Sequence, residues 1–220
     1  MCRNLSGENG EYVEFPGIEE VGAYDTIAVG GEFSERRLTD AYSKGIFPWY
    51  PYLSPMIVWT CPVERFVIFP SEIHVSHSMR TLLNSGRYRV TFDENFTGVV
   101  LNCATVDGRH ENEGAWLGGD LLMAMLKFHK QGHAHSVEVW EGEDLVGGLY
   151  GVRVNRCFCG DSMFSLVPSG SKVALIALAR RMAAEGGLMI DCQLLLSAKP
   201  QKDVKHPPEP LEDRGSGFAF

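Results

Sequence analysis

The sequence lacks any run approaching the ~20 uninterrupted apolar residues that a membrane-spanning helix needs. Its polar amino terminus, Met1 to Gly10, has no apolar signal core. Both absences lead us to expect a cytoplasmic protein that spans no membrane. No Gly-rich phosphate loop of the P-loop or dinucleotide type is present. Neither a Gly-x-Ser-x-Gly elbow nor a Cys/His/Asn set in a recognisable context occurs, although Ser162 in Gly160-Asp161-Ser162-Met163 invites the comparison. Six cysteines, Cys2, Cys61, Cys103, Cys157, Cys159 and Cys192, follow no framework spacing. In a chain this long that favours reduced thiols over bridges. Basic residues are outnumbered, 20 Lys and Arg against 28 Asp and Glu, for a formal charge of −8. That balance speaks against non-specific nucleic-acid binding but leaves room for one basic face.

The remainder is the composition of an ordinary globule, 45% hydrophobic and 22% charged over 220 residues. This length suits one large domain or a small domain docked on a larger one. The first thirty residues read as irregular structure lying on another surface. Ser34 sits where a helix N-cap would, and Leu38, Ala41 and Tyr42 recur at helical spacing until Gly45. Gly45-Ile46-Phe47-Pro48-Trp49-Tyr50-Pro51-Tyr52 then crowds large apolar side chains between prolines that hold the backbone extended or turned. Some of those rings must be exposed or line a groove. Short strands are expected at residues 57–59 and 65–69, ended by Pro70.

Ser76 to Ser85 reads as a helix carrying Arg80. With Arg87, Arg89, Lys44, Arg36 and Arg37 it is the best candidate for a positive face, the alternative being a solvated surface. A strand at residues 88–92 is followed by a helix from Asp93 or Glu94 to Cys103. Trp116 is the single large hydrophobe in a polar, Gly-containing loop, either a lid residue or a peg. A helix capped by Asp120 ends at Gly132, and strand-like runs follow at 135–140, 145–154, 157–164 and 188–194. Gly147, Gly148 and Gly151 in the second run imply a bulge or a close backbone approach. A helix capped by Ser171 spans 171–184, and Gly186-Gly187 ends it.

The most informative stretch is Leu188-Met-Ile-Asp191-Cys-Gln193-Leu194. On a strand, Asp191 and Gln193 share one face, and a carboxylate among Leu, Met and Ile needs a partner. Two readings fit: a satisfied core hydrogen bond, or an amide held by the acid so that its oxygen guides a proton. His133-Ala-His135 and Cys157-Phe-Cys159 are the only metal-like spacings, and structural zinc sites usually space cysteines more widely, so no metal is expected. Ser169-Gly170-Ser171 leading into Lys172 is either a plain helix start or a set of amides for an anion.

Together, Gly45-Ile-Phe-Pro-Trp49, Trp59-Thr-Cys-Pro62, His74-Val-Ser-His-Ser78, Gly132-His-Ala-His-Ser-Val-Glu-Val-Trp140, Gly147-Gly-Leu-Tyr-Gly151, Gly160-Asp-Ser-Met-Phe-Ser165, Ser171-Lys172 and Ile190-Asp-Cys-Gln193 resemble the leucyl/phenylalanyl-tRNA protein transferase family. The blocks are collinear from about Phe15 to Gln193. The resemblance implies transfer of Leu or Phe, and less well Met, from leucyl-tRNA or phenylalanyl-tRNA to the amino-terminal Arg or Lys of a protein, creating an N-degron. It implies an α+β fold with a small N-terminal domain (1–70), a GNAT-like catalytic domain with a mainly antiparallel sheet (71–197) and an atypical tail (198–220). It also implies no cofactor and a monomer. Carried over by residue, Asp191 and Gln193 look like the catalytic pair, with the acid holding the amide. Trp49 and Trp116 look like the groups that hold the 3′-terminal adenosine, and Leu149, Phe158, Met163, Leu178 and Met182 like the lining for an apolar side chain. Asp161 stands where the family usually has Glu, at a position that contacts the acceptor. A second departure is the absence of the family's His, Ser-Leu-Gly segment and closing strand after Gln193, which would leave the sheet edge open. A coenzyme-A-dependent N-acyltransferase and a non-catalytic tRNA-binding module are the alternatives. The first lacks its Gln/Arg-x-x-Gly-x-Gly/Ala signature near Ser169.

Overall fold

The computed structural model describes residues 3–7, 11–21, 25–49, 56–105 and 119–193. Trp116 and the tail from 194 onward lie outside them. The fold is α+β, with two sheets. The first has four strands, β1 (Arg3–Asn4), β2 (Thr26–Val29), β3 (Phe47–Trp49) and β4 (Val58–Thr60), in the order β1-β2-β4-β3. Two of these fall in the stretch read as irregular, because strands of two and four residues are too short to show alternation. Between β2 and β3 runs α1 (Glu35–Ser43). It is started by Ser34, whose hydroxyl accepts the Arg37 N–H at 3.2 Å, and stopped at Gly45, whose φ of 70° turns the chain left-handed. Trp59 is fully buried at the centre of this layer, its Nε1 donating to the Gly30 carbonyl at 2.9 Å and its ring meeting Phe15 edge-on at 5.1 Å.

The second sheet has six strands in the order β5-β10-β9-β8-β7-β6. These are β5 (Val67–Ile68), β6 (Arg89–Phe92), β7 (Ala134–Glu141), β8 (Asp144–Val154), β9 (Cys157–Ser165) and β10 (Met189–Asp191). All neighbours pair antiparallel except β9 and β10, which are joined by the crossover helix α5 (Gly170–Ala184). The other helices are α2 (His77–Asn84), α3 (Phe96–Thr105) and α4 (Gly119–Lys130). On α4, Leu121, Met125 and Phe128 recur every three or four residues and are all buried. Expected and observed elements differ mostly at their ends. One difference is instructive: Ser171 lies inside α5, and its N–H is satisfied by the Ser165 hydroxyl at 3.2 Å rather than by a capping side chain at Ser169.

Each sheet face has its own core. On one side Leu149, Phe158 and Ile190 pack under Leu178, Ala179 and Met182 of α5. On the other, Tyr150, Val152, Cys159 and Phe164 join α3, α4 and the first sheet. Strict alternation cannot place both Cys159 and Phe164 on the same side, since they are five residues apart. The register explains it: Gly151 pairs with Gly160 and Tyr150 with Ser162, so Asp161 is an extra, bulged residue. The glycines expected to mark a bulge do so, because a Cβ on Gly151 would run into the Cys159 carbonyl. Gly151→Ala is therefore expected to lower stability by about 3 kcal/mol, measurable as an earlier urea midpoint. A midpoint unchanged from wild type would show that the bulge tolerates a side chain.

Candidate active site

The bulge turns Asp161 toward the first sheet rather than into the α5 core. Its two carboxylate oxygens are both occupied: the Tyr42 hydroxyl donates to Oδ2 at 2.8 Å and the Gln193 carboxamide Nε2 donates to Oδ1 at 2.9 Å. Tyr42 comes from the buried side of α1, so the contact joins the two layers. Asp191, at the end of β10, faces the same way. Its Oδ1 accepts the backbone N–H of Gln193 at 2.8 Å, and its Oδ2 is paired with Arg65 Nη1 at 2.5 Å. Arg65 Nη2 also donates to the Gly45 carbonyl.

This differs from the expected arrangement in one respect. Asp191 grips the backbone of Gln193, and it is Asp161 that grips the side-chain amide. The reason lies in the backbone. The strand ends at Asp191, and Gln193 sits at a φ of 62°, so the two-residue alternation that would put both side chains side by side stops before Gln193. The turn is anchored by the segment before β5: Phe66 N–H donates to the Gln193 carbonyl at 3.2 Å, and Cys192 N–H to the Phe66 carbonyl at 2.9 Å.

Burial pushes the Asp161 carboxyl up to about 7; the Tyr42 and Gln193 hydrogen bonds pull it down, and the neighbouring Asp191 charge adds to the rise. An ionised carboxylate only accepts hydrogen bonds, so it fixes which end of the amide faces it. The Gln193 nitrogen points at Asp161, which turns the carboxamide oxygen away. Tyr42 is held well above its usual range by burial and by Asp161, and therefore stays a donor. Burial raises the thiols of Cys159 and Cys157 and takes Cys192 to about 12, so these cysteines are not thiolates at neutral pH. Among the described residues no group of three or more His, Cys, Asp or Glu is arranged to hold a metal.

The apolar residues singled out from the sequence lie elsewhere. Leu149, Phe158, Leu178 and Met182 are buried on the α5 side of the sheet, across it from the two acids. Phe158, Leu178 and Met182 also line a cavity of about 80 Å³ whose rim carries Asp93, His135 and Arg153. Met163 pairs with Leu149 and is 37% exposed, two residues along β9 from Asp161. Trp49 is half-buried on β3 and packs against the first core. Three of the supposed positive-face residues are matched by acids, Lys44 with Asp40, Arg87 with Glu141 and Arg89 with Glu94. Arg37 is fully buried. Tyr42 and Arg65 were not singled out as site residues. Tyr42 reads as one more apolar helix position. Arg65 does carry a signal: a buried Asp191 requires a cation, and Arg65 heads the apolar run that pairs with it.

The chain matches the family model described as "Leucyl/phenylalanyl-tRNA protein transferase" over residues 67–201. It belongs to that family. The leucyl/phenylalanyl-tRNA--protein transferase of Syntrophus aciditrophicus is 44% identical over 188 residues, covering 86% of this chain and 78% of that protein. That of Yersinia enterocolitica is 46% identical over 171 residues, 77% of this chain and 70% of its own. Membership makes the chain an aminoacyltransferase. Among solved structures, L-PGS from Bacillus licheniformis aligns with a TM-score of 0.39 and 12% identity, over 79% of this chain and 55% of that one, a likeness too weak to bear on function.

Proposed function

We propose that this member of the leucyl/phenylalanyl-tRNA protein transferase family carries Leu or Phe, and less well Met, from its tRNA to the amino-terminal Arg or Lys of a protein, marking it as an N-degron. The single observation that carries the reading is the Gln193 carboxamide, held by its nitrogen on Asp161 so that its oxygen is turned away from that carboxylate. The acceptor's α-amine attacks the ester carbonyl carbon, a C–N bond forms, and the bond to the tRNA 3′-oxygen breaks. Gln193 Oε1 accepts a hydrogen bond from the attacking amine and orients its lone pair, and the displaced proton ends on the 3′-oxygen. An amide is a weak base in water, so its effect is mainly orientation. An aminoacyl ester is already activated, so the scheme calls for no metal or organic cofactor.

In this reading Asp161 aligns the amide and Asp191 fixes the backbone that bears it. Trp49 and Trp116 hold the unpaired 3′-adenosine by stacking. The expected apolar lining, Leu149, Phe158, Leu178 and Met182, packs under α5 across the sheet from Asp161, so the reading assigns no aminoacyl pocket to it. The chain works as a cytoplasmic monomer, with a small N-terminal unit (1–70), whose end supplies β5 to the second sheet, and a GNAT-like unit (71–197). The test is transfer of radiolabelled Leu from charged tRNA to a peptide beginning with Arg and to one beginning with Ala. The Arg peptide is expected to be labelled and the Ala peptide to stay near background. Equal labelling of both, or charged tRNA bound with no transfer to either, contradicts the reading.

A further inference from the structure

We infer that Arg65 is a positioning residue for transfer, tying the strand that carries Trp49 to the carboxylate that fixes Gln193. The inference rests on the transfer reading above and adds a residue to it. The guanidinium bridges two layers: Nη1 meets Asp191 Oδ2 at 2.5 Å, and Nη2 donates to the carbonyl of Gly45, two residues before β3 begins. The other Asp191 oxygen takes the Gln193 N–H at 2.8 Å, and Phe66, next to Arg65, bonds the Gln193 carbonyl at 3.2 Å. One side chain thus fixes the distance between the strand of the proposed base-holding indole and the Gln193 amide. The Asp191 side chain is 7% exposed and that of Arg65 21%, so the pair is largely shielded from water and its geometry is not averaged away. A planar fork with two donors at a fixed spacing makes both contacts at once. A lysine ammonium, a point charge on a flexible stem, keeps the charge but not that spacing.

The consequence is a graded loss in kcat. Misplacing a reacting group by about 1 Å costs on the order of 100-fold. Arg65→Met removes both contacts and is expected to lower kcat by about that factor. Arg65→Lys retains the charge and is expected to lose only about 10-fold, with KM for charged tRNA changed by less than about 3-fold. A role in folding alone would not produce a further sign. In both variants kcat per folded molecule falls while KM for charged tRNA holds, and Arg65→Lys restores part of the loss, a split and a rescue that a lowered folded fraction does not give. The experiment measures kcat and KM for wild type and both variants with leucyl-tRNA and an Arg-started peptide, corrected for the folded fraction. If Arg65→Met folds poorly, Arg65→Lys supplies the kcat test. A wild-type kcat per folded molecule in Arg65→Lys and in whatever Arg65→Met folds, or a loss that falls on KM with kcat unchanged, overturns the inference while transfer by the wild type stands. A wild type that transfers nothing overturns both.

Discussion

Replacing Gln193 by alanine is expected to slow transfer by about 100-fold at saturating substrates, because the attacking amine loses the oxygen that orients it. The protein should remain folded. Gln193 lies just past the end of β10, and the backbone bonds that anchor it, from its own N–H to Asp191 and from Phe66 N–H to its carbonyl, survive the change. Gln193→Glu is the sharper substitution. It keeps size and oxygens but removes the N–H that Asp161 accepts at 2.9 Å, and it sets one carboxylate against another. Two acids that close do not both ionise, so the new side chain has no fixed orientation. We expect a loss close to that of alanine, read by steady-state kcat with circular dichroism as the check on folding. If the glutamate variant works as well as wild type, any oxygen at that position suffices and the amide's alignment is irrelevant.

The second large effect is on pH dependence and sets activity against stability. The Asp161 carboxyl stands at about 7 in the folded protein, against 3.8 for the free side chain. The folded state therefore holds this proton over a range in which the unfolded state has released it. The usual sign for an acid is reversed: this group's contribution to stability falls as pH rises from about 4 to about 7 and is flat beyond. The span corresponds to at most about 4 kcal/mol, at about 1.4 kcal/mol per unit. Activity runs the other way. Only the ionised carboxylate accepts from both Tyr42 and Gln193; once protonated, it can donate to the amide oxygen and turn the carboxamide round. Transfer is expected to rise through about pH 7, while the chemical denaturation midpoint drops over the same interval. The attacking α-amine itself titrates near pH 8. Comparison with Asp161→Asn separates the two, since that variant should keep the amine's limb and lose the carboxyl's, in both activity and stability. Identical profiles for the two proteins would show that Asp161 does not titrate in this range.

Much of the second sheet is legible from residue order alone, since β7 to β9 are long strand-like runs joined by short turns. Gly147, Gly148 and Gly151 even mark where the ladder is disturbed. What the pattern does not carry is the direction a side chain takes after a strand ends. Asp191 and Gln193 read as neighbours on one face, yet the left-handed turn at Gln193 hands its amide to Asp161, thirty-two residues earlier in the chain. β1 and β2 were hidden because they are too short to show a period. Arg65 and Tyr42 were hidden for opposite reasons. An arginine at the head of an apolar run looks like surface, and a tyrosine on a helix's apolar side looks like core. Both are inside because they bring a charge or a hydroxyl to an acid that would otherwise be buried alone.

A double-mutant cycle between Asp161 and Gln193 tests the alignment most directly, using kcat for leucine transfer to an Arg-started peptide with Asp161→Asn, Gln193→Ala and the pair. If Asp161 acts by holding the amide, removing it matters only while the amide is there, and the double variant will be no slower than Gln193→Ala alone. Losses that multiply would mean that the two side chains work separately and that the carboxylate does not aim the amide.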